Sequence, residues 1–413
     1  MTTTLLVQSS TSNCFATTSN QLSLDDTTEY STIEQPMDDE KFDFTTLSLL
    51  SQLQTVSEDL ALAEHGYTMI EKITDTIQGE LIKCRVDSIE TKDGEEPKYV
   101  AVKKTKKELF KERIAMEDGM SVLVNENIVK ESVIQHYLTV ANTPMGGYIT
   151  KFIEFFEDDD YFYLVMEYVS NMNLKDFVLR AHQYIRSKQL KIKEWRKICK
   201  YIFWQIAVTL YWMHNDLNCA HLDLCLENIM IENGNFIACE NGKIKIDNAV
   251  SVKLCDFGRA EVFPKDSDFS IDKYSIIGDT FHLQSPQVND EENYNAKASD
   301  IWSLGIILYT MVIGRYPFRF ADPINDPGYK ALINGNIATY LTMNNLQKYV
   351  DTNLLILLSG CLGYKENDRD NIEQVINQTW LSSYYKAYAQ RIATKSSRQQ
   401  RRKKIITFPH YVN

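Results

Sequence analysis

The sequence predicts an α+β chain of two lobes, a small strand-rich lobe over 67–169 and a larger, mainly α-helical lobe over 170–384. Three observations predict it. YTMIEKI, LIKCRV and YVAVKK are short runs rich in β-branched and aromatic residues, and YITKFIEFF and YFYLVMEYV are two more, which together make a five-stranded antiparallel sheet. Between them, Ile128 to Thr139 carries apolar residues at helical spacing, so the small lobe receives one long helix. After Val169 the period changes: WRKICKYIFWQIAVTLYWMH repeats apolar residues every three to four positions, and DIWSLGIILYTMVIG is apolar enough for a buried core helix.

A chain of 413 residues, 44% hydrophobic and 24% charged, is long enough for such a domain with flanking tails. Residues 1–42 are Ser, Thr, Gln and acidic, with Lys41 the one basic residue, so too little apolar surface is available to offset chain entropy and a disordered tail is expected. Residues 385–413 form a basic tail around KSSRQQRRKK. It is a candidate docking segment for an acidic partner or a nuclear import signal, with a plain solvated tail as the alternative. The net charge is −12 and the pI about 5.2. Bulk electrostatics therefore offer no attraction to nucleic acid or to an anionic membrane, and any phosphate-handling site needs locally placed cations.

The eight cysteines, Cys14, Cys84, Cys199, Cys219, Cys225, Cys239, Cys255 and Cys361, form no CxxC pair and no cluster at zinc-ligand spacing. Reduced thiols and a cytoplasmic location are expected. The start, MTTTLLVQSS, lacks a basic region followed by an apolar core, and no run of eighteen apolar residues occurs, so neither secretion nor a membrane span is expected.

Asp223 and Asn228 stand five apart in HLDLCLEN, and Asp256 opens DFG after the strand-like SVKLC. Hard cations take oxygen ligands, and acidic and amide oxygens near strand ends are what magnesium on a nucleoside triphosphate requires. Each residue by itself reads as a turn former. The combination carries the chemistry.

On these residues the sequence resembles the eukaryotic protein kinase family, serine/threonine type, over about Tyr67 to Trp380, with the matched pieces in the family's order. The resemblance implies a two-lobed kinase fold, ATP and Mg2+ as cofactors, a protein substrate, and transfer of the γ-phosphoryl of ATP to Ser or Thr hydroxyls. VAVK makes Lys103 the lysine that holds the α and β phosphates, and Glu131 in VKESVIQHYL its ion-pair partner. LVMEYV resembles the hinge, with Met166 as gatekeeper and the backbone from Glu167 to Val169 facing adenine. Asp223 is implied as the catalytic base, and Asn228 and Asp256 as metal ligands. DTFHLQSPQV resembles the end of the activation segment, where Thr280 contacts the catalytic Asp. Asp300 in DIWSLG is implied to cap the backbone of the catalytic loop.

Departures from the family are as informative. Thr74, Thr76 and Gly79 align with the three glycines of GxGxxG, so only Gly79 remains, and a looser or displaced phosphate cover with weaker nucleotide affinity is expected. Leu222 replaces the Arg that pairs with a phosphorylated activation segment, so activity independent of that phosphorylation is expected, with Lys265, Lys273 or Arg259 as the cations that could substitute. Cys225 replaces the Lys that neutralises the transferring phosphate, a loss of roughly 10²–10³ in rate by analogy with single electrostatic donors. Gln287 ends SPQ where the family has APE, which takes the carboxylate from Arg369 and predicts a softer activation segment. Residues 229–255 exceed the usual spacing, and IACENGKIKIDNAV reads as a hairpin insertion near the cleft, a docking element or an ordinary surface loop. The alternative function is a pseudokinase, a nucleotide-binding scaffold or allosteric interaction module.

Overall fold

The computed structural model describes residues 60–87, 98–112, 114–117, 120–123, 127–141, 148–247, 250–272, 285–290, 293–319 and 322–385. The tail expected over 1–42, residues 386–413 of the basic tail, and Thr280 lie outside them. The first lobe runs α1 (Leu60–Glu64), β1 (Tyr67–Thr76), β2 (Gly79–Val86), β3 (Tyr99–Lys106), α2 (Lys107–Glu112), β4 (Ile114–Glu117), β5 (Met120–Leu123), α3 (Ile128–Val140), β6 (Phe152–Glu157) and β7 (Tyr161–Glu167). Five of these strands form one antiparallel sheet in the order β1-β2-β3-β7-β6. β3 lies at its centre, which is why YVAVKKTK reads as a nearly unbroken buried run rather than an alternation.

Helix α3 starts where a cap permits it. The Asn127 side chain accepts the Lys130 N–H and satisfies one of the orphan donors of the first turn. In addition to this expected helix, the lobe carries α1, α2 and the hairpin β4–β5. Each is shorter than the window over which periodicity can be read, and packing rather than pattern holds α1 and α2. Leu62 of α1, 1% exposed, docks among Tyr67, Ile82, Val102 and Tyr163, and Phe110 of α2 stands edge-on to Phe162 at 5.1 Å.

The second lobe is mainly helical: α4 (Leu174–Arg186), α5 (Ile192–Tyr211), α6 (Pro286–Asp290), α7 (Ala296–Ile313), α8 (Pro327–Gly335), α9 (Ile337–Met343), α10 (Thr352–Cys361) and α11 (Ile372–Asn377). Short strands thread it: β8 (Cys219–Ala220), β9 (Ile229–Asn233), β10 (Phe236–Ala238), β11 (Ile244–Ile246), β12 (Ser251–Leu254), β13 (Glu261–Val262), β14 (Ser270–Asp272) and β15 (Asn293–Asn295). They pair in twos, β12 with β9 and β13 with β8 among them. Helix α7 is long and apolar enough to cross a bilayer, yet 78% of it is buried inside the fold, so protein side chains cover it as the core of the lobe.

The insertion forms the expected hairpin. β10 and β11 pair antiparallel around the Asn241-Gly242 turn, with Gly242 at φ +70, where a side chain would be strained. Phe236 packs on Phe177 and Tyr184 of α4, and Ile244 N–H donates to the Gln189 carbonyl. These contacts place the hairpin along α4 and the loop that follows it.

Two buried imidazoles make the fold acid-sensitive. Burial holds His182 and His214 below their ordinary value of 6.5, against the opposing pull of the Met311 carbonyl on the first and of Asp300 on the second. A depressed folded-state value means that the unfolded chain takes up the proton first, so stability present above the unfolded value is lost as pH falls through the folded one. The thermal midpoint is expected to drop between about pH 7 and about pH 5.5. A midpoint that holds constant across that interval contradicts the assignment.

Candidate active site

The central strand delivers the first functional group. Lys103 lies in β3 opposite Leu81 of β2 and Leu164 of β7, which holds its backbone on both edges. Glu131, in the first turn of α3, meets it: Nζ to Oε2 is 2.9 Å, with the side chains 10% and 2% exposed. Lys103 Nζ also lies 3.8 Å from Asp256 Oδ1.

Asp256 and Asn228 are brought together by strand pairing. β9 begins one residue after Asn228, β12 ends two residues before Asp256, and the register sets Ile229 opposite Leu254. Cys255 N–H donates to the Asn228 carbonyl at 3.0 Å and closes the pair. Asp256 adopts φ +61, and the Gly258 N–H donates to its Oδ1 at 3.2 Å. A Cβ on Gly258 would come within 3.2 Å of that oxygen and 3.4 Å of Glu131 Oε2, so glycine lets the chain turn tightly here. Burial pushes the Asp256 carboxyl up, but Lys103, the Gly258 N–H, His221 and Arg259 more than offset it and hold the group below the usual carboxylate value.

The HLDLCLEN loop hangs from one buried carboxylate. Asp300, 1% exposed on α7, accepts the N–H groups of His221 and Leu222, both at 2.8 Å, and bonds His214 Nε2 at 2.9 Å. This fixes Leu222 at φ +64 and aims the next residue, Asp223. The Asn228 side-chain N–H donates to both the carbonyl and Oδ2 of Asp223 at 2.9 Å. Arg259 Nη1 reaches Asp223 Oδ1 at 3.3 Å.

The residues read as the hinge lie at the C-terminal end of β7, an interior strand of the sheet. Met166, 8% exposed, packs with Ala101, Ile128 and Leu164, and its sulfur lies 3.9 Å from Gln135 Nε2. The Glu167 N–H is committed to the Lys151 carbonyl, while its carboxylate takes the Lys151 N–H and the ammonium of Lys253. Val169 is buried just beyond. Lys253 was missed at the sequence level. The signal was a lysine inside the apolar run SVKLC, which burial permits because Glu167 and Glu232 both neutralise it.

Where the glycine-rich loop is eroded, the structure differs from the expected looseness. Only Ile77 and Gln78 separate β1 from β2, and Gln78 is buried, with its Nε2 on the Leu109 carbonyl and its own carbonyl accepting the Lys106 N–H. The tip is pinned to α2. A Cβ on Gly79 would meet the Lys104 carbonyl oxygen at 1.9 Å, so close approach of β3 requires this glycine whether or not a nucleotide is present. The buried Thr76 hydroxyl, where the second glycine would stand, makes no hydrogen bond.

The three substituted positions are each buried in the fold. Leu222 sits in an apolar cluster with Ala220, Val288, Tyr294 and Ala296, against which Phe263 and Ile271 pack. Cys225 is 3% exposed, and burial, then Asp223 and Glu227, push its thiol well up, so it is neutral. Arg369 donates to Gln287 and also to the carbonyls of Gly363, Ala298 and Tyr364, and it lies 5.1 Å over the Trp302 ring. Carbonyl dipoles thus surround the guanidinium that lacks a carboxylate, while residues 273–284 of the activation segment expected to be softer lie outside the described residues.

A two-lobed α+β fold holding a buried Lys–Glu pair, an Asp-Asn loop and an Asp after a strand pair is the arrangement of a phosphoryl-transfer site. The family model described as protein kinase domain matches residues 86–381, more than half of the chain. The chain belongs to the protein kinase family. Among relatives, it is 30% identical over 237 residues to the serine/threonine-protein kinase ppk16 of Schizosaccharomyces pombe. It is 27% identical over 233 residues to an Aurora kinase of Eremothecium gossypii, and 25% identical over 298 residues to a probable serine/threonine-protein kinase, KIN1 homolog, of Enterocytozoon bieneusi. These matches take in 56%, 56% and 72% of this chain but 29%, 52% and 40% of the respective relatives, so the chain spans about half their length or less.

Proposed function

We propose that this chain is an active serine/threonine protein kinase that moves the γ-phosphoryl of ATP to protein hydroxyls. The observation that carries the reading is the buried Lys103–Glu131 pair at 2.9 Å with Asp256 at 3.8 Å from the same ammonium. That ammonium is held extended by one carboxylate while facing another, as a lysine that grips the α and β phosphates must be. Asn228 and Asp256 fit a magnesium ion. Asp256 is held ionised, and the Asn228 side-chain N–H is spent on Asp223, which leaves the side-chain Oδ1 of Asn228 as a hard donor. The metal, when bound, neutralises charge on the phosphates.

Asp223, with one oxygen fixed by Asn228, orients the acceptor hydroxyl and takes its proton. Met166 walls the adenine pocket, and the hinge from Glu167 to Val169 is the edge along which the base lies. The choice of Ser and Thr as acceptors rests on the LEN ending at Glu227, on Thr280, which lies outside the described residues, and on the names of the relatives above.

The neutral thiol of Cys225 favours a second reading, a scaffold that binds nucleotide without transferring phosphate. One preparation separates the two. Magnesium-dependent ATP binding and incorporation of labelled phosphate are measured on the intact protein and on Asp223→Asn. Binding in both, with transfer lowered roughly 10²–10⁴-fold in the variant, is expected from loss of a general base. Binding by the intact protein with no transfer across a broad peptide panel assigns the scaffold.

A further inference from the structure

Phosphoryl transfer concentrates negative charge on oxygens that a protein must meet with fixed positive charge. In this chain the catalytic loop does not supply it two residues after Asp223, where Cys225 is buried as a neutral thiol. A guanidinium stands nearby instead. Arg259 follows Asp256 by three residues in the turn that leads into β13, and its side chain is 9% exposed. Its Nη1 lies 3.3 Å from Oδ1 of Asp223, the oxygen opposite the one that Asn228 holds at 2.9 Å.

We propose that Arg259 is a catalytic residue, contributing from the turn after Asp256 the positive charge that Cys225 cannot contribute from the catalytic loop. This rests on the kinase reading above. In the transfer step the acceptor oxygen bonds to the γ-phosphorus as the bond to the β–γ bridging oxygen breaks. The hydroxyl proton passes to Asp223, and the nucleoside diphosphate leaves. Arg259 serves that step in two ways. It holds the Asp223 carboxylate toward the acceptor, and its planar fork can meet a carboxylate and a phosphoryl oxygen together, which a point ammonium does less well. The geometry also explains how a catalytic loop can tolerate cysteine at this position: the charge has moved to another segment of the chain, 36 residues away from Asp223.

The test compares kcat, nucleotide KM and thermal midpoint for the intact protein, Arg259→Lys, Arg259→Gln and the double variant Arg259→Gln with Cys225→Lys. Arg259→Gln is expected to lower kcat roughly 10²–10³-fold with little change in KM. Arg259→Lys should lose much less, and Cys225→Lys should return at least part of the lost rate by restoring charge at the other position. If Lys and Gln at 259 behave alike with an unshifted midpoint, charge is not the contribution and the inference fails. A rise in kcat in Arg259→Gln also overturns it, because the guanidinium would then be a plug on Asp223. Should the double variant fail to fold, the Lys-against-Gln comparison still decides. Absence of transfer by the intact protein removes the kinase reading together with the inference, whereas unaltered transfer in Arg259→Gln removes the inference and leaves the reading standing.

Discussion

Replacing Lys103 by Met is expected to lower phosphoryl transfer roughly 10²–10³-fold, the effect of deleting one electrostatic donor from a developing phosphate charge. The same change strips the cation from a Glu131 carboxylate that is 2% exposed, and breaking a buried pair in this way costs about 3–5 kcal/mol of stability. The two losses can be separated. In Lys103→Met with Glu131→Leu the isolated buried charge is gone, so the thermal midpoint should recover while transfer does not. Recovery of both would mean that the pair is a structural strut, and unchanged turnover in the single variant would refute the assignment of Lys103 to the phosphates.

Asp300→Ala should be the most damaging substitution outside the reacting groups. It removes the acceptor of the His221 and Leu222 N–H groups and of His214, all buried, and leaves donors that neither water nor another residue can reach without distortion. A loss on the order of 3–5 kcal/mol is expected. Leu222 is held at φ +64 by these bonds, a conformation that costs a β-carbon-bearing residue roughly 1–2 kcal/mol, so the backbone relaxes once they go. Asp223 is the next residue and moves with it. A displacement near 1 Å can cost on the order of 10² in rate. Differential scanning calorimetry and a transfer assay below the variant's midpoint should therefore show both losses, and a folded variant with full activity would show that the loop is positioned by something else.

Much of this arrangement was legible because its parts are short local motifs. VAVK, VKESVIQHYL, HLDLCLEN and DFG carry Lys103, Glu131, Asp223, Asn228 and Asp256 through their resemblance to the family, and the strands and helix that the sequence pattern shows around them bring them to one place. Residues that act across the fold left no such trace. Arg259 meets Asp223 over 36 residues, Lys253 meets Glu167 over 86, and Gln78 reaches Leu109 over 31. The lysine inside SVKLC is unusual in an apolar run, but no pattern in either segment of such a pair names the partner. The bonds that pin the turn before Gly79 and hold Arg369 beside Gln287 escaped for a related reason. The sequence shows what a substitution removes, a glycine or a carboxylate, and not the carbonyls of Leu109, Gly363, Ala298 and Tyr364 that bond the groups left behind.

The apolar contacts of Leu222 bear on how such a protein is governed in time. A phosphate held by arginine is a reversible latch: one enzyme sets it, another clears it, and the interval between them is the length of the signal. Packing of Phe263 and Ile271 on the cluster that holds Leu222 is completed by folding itself and offers nothing for a phosphatase to remove. Under the kinase reading, a loop braced in this manner is expected to carry no erasable memory at position 222, and its output to follow how many molecules are made, where they are held and how soon they are destroyed.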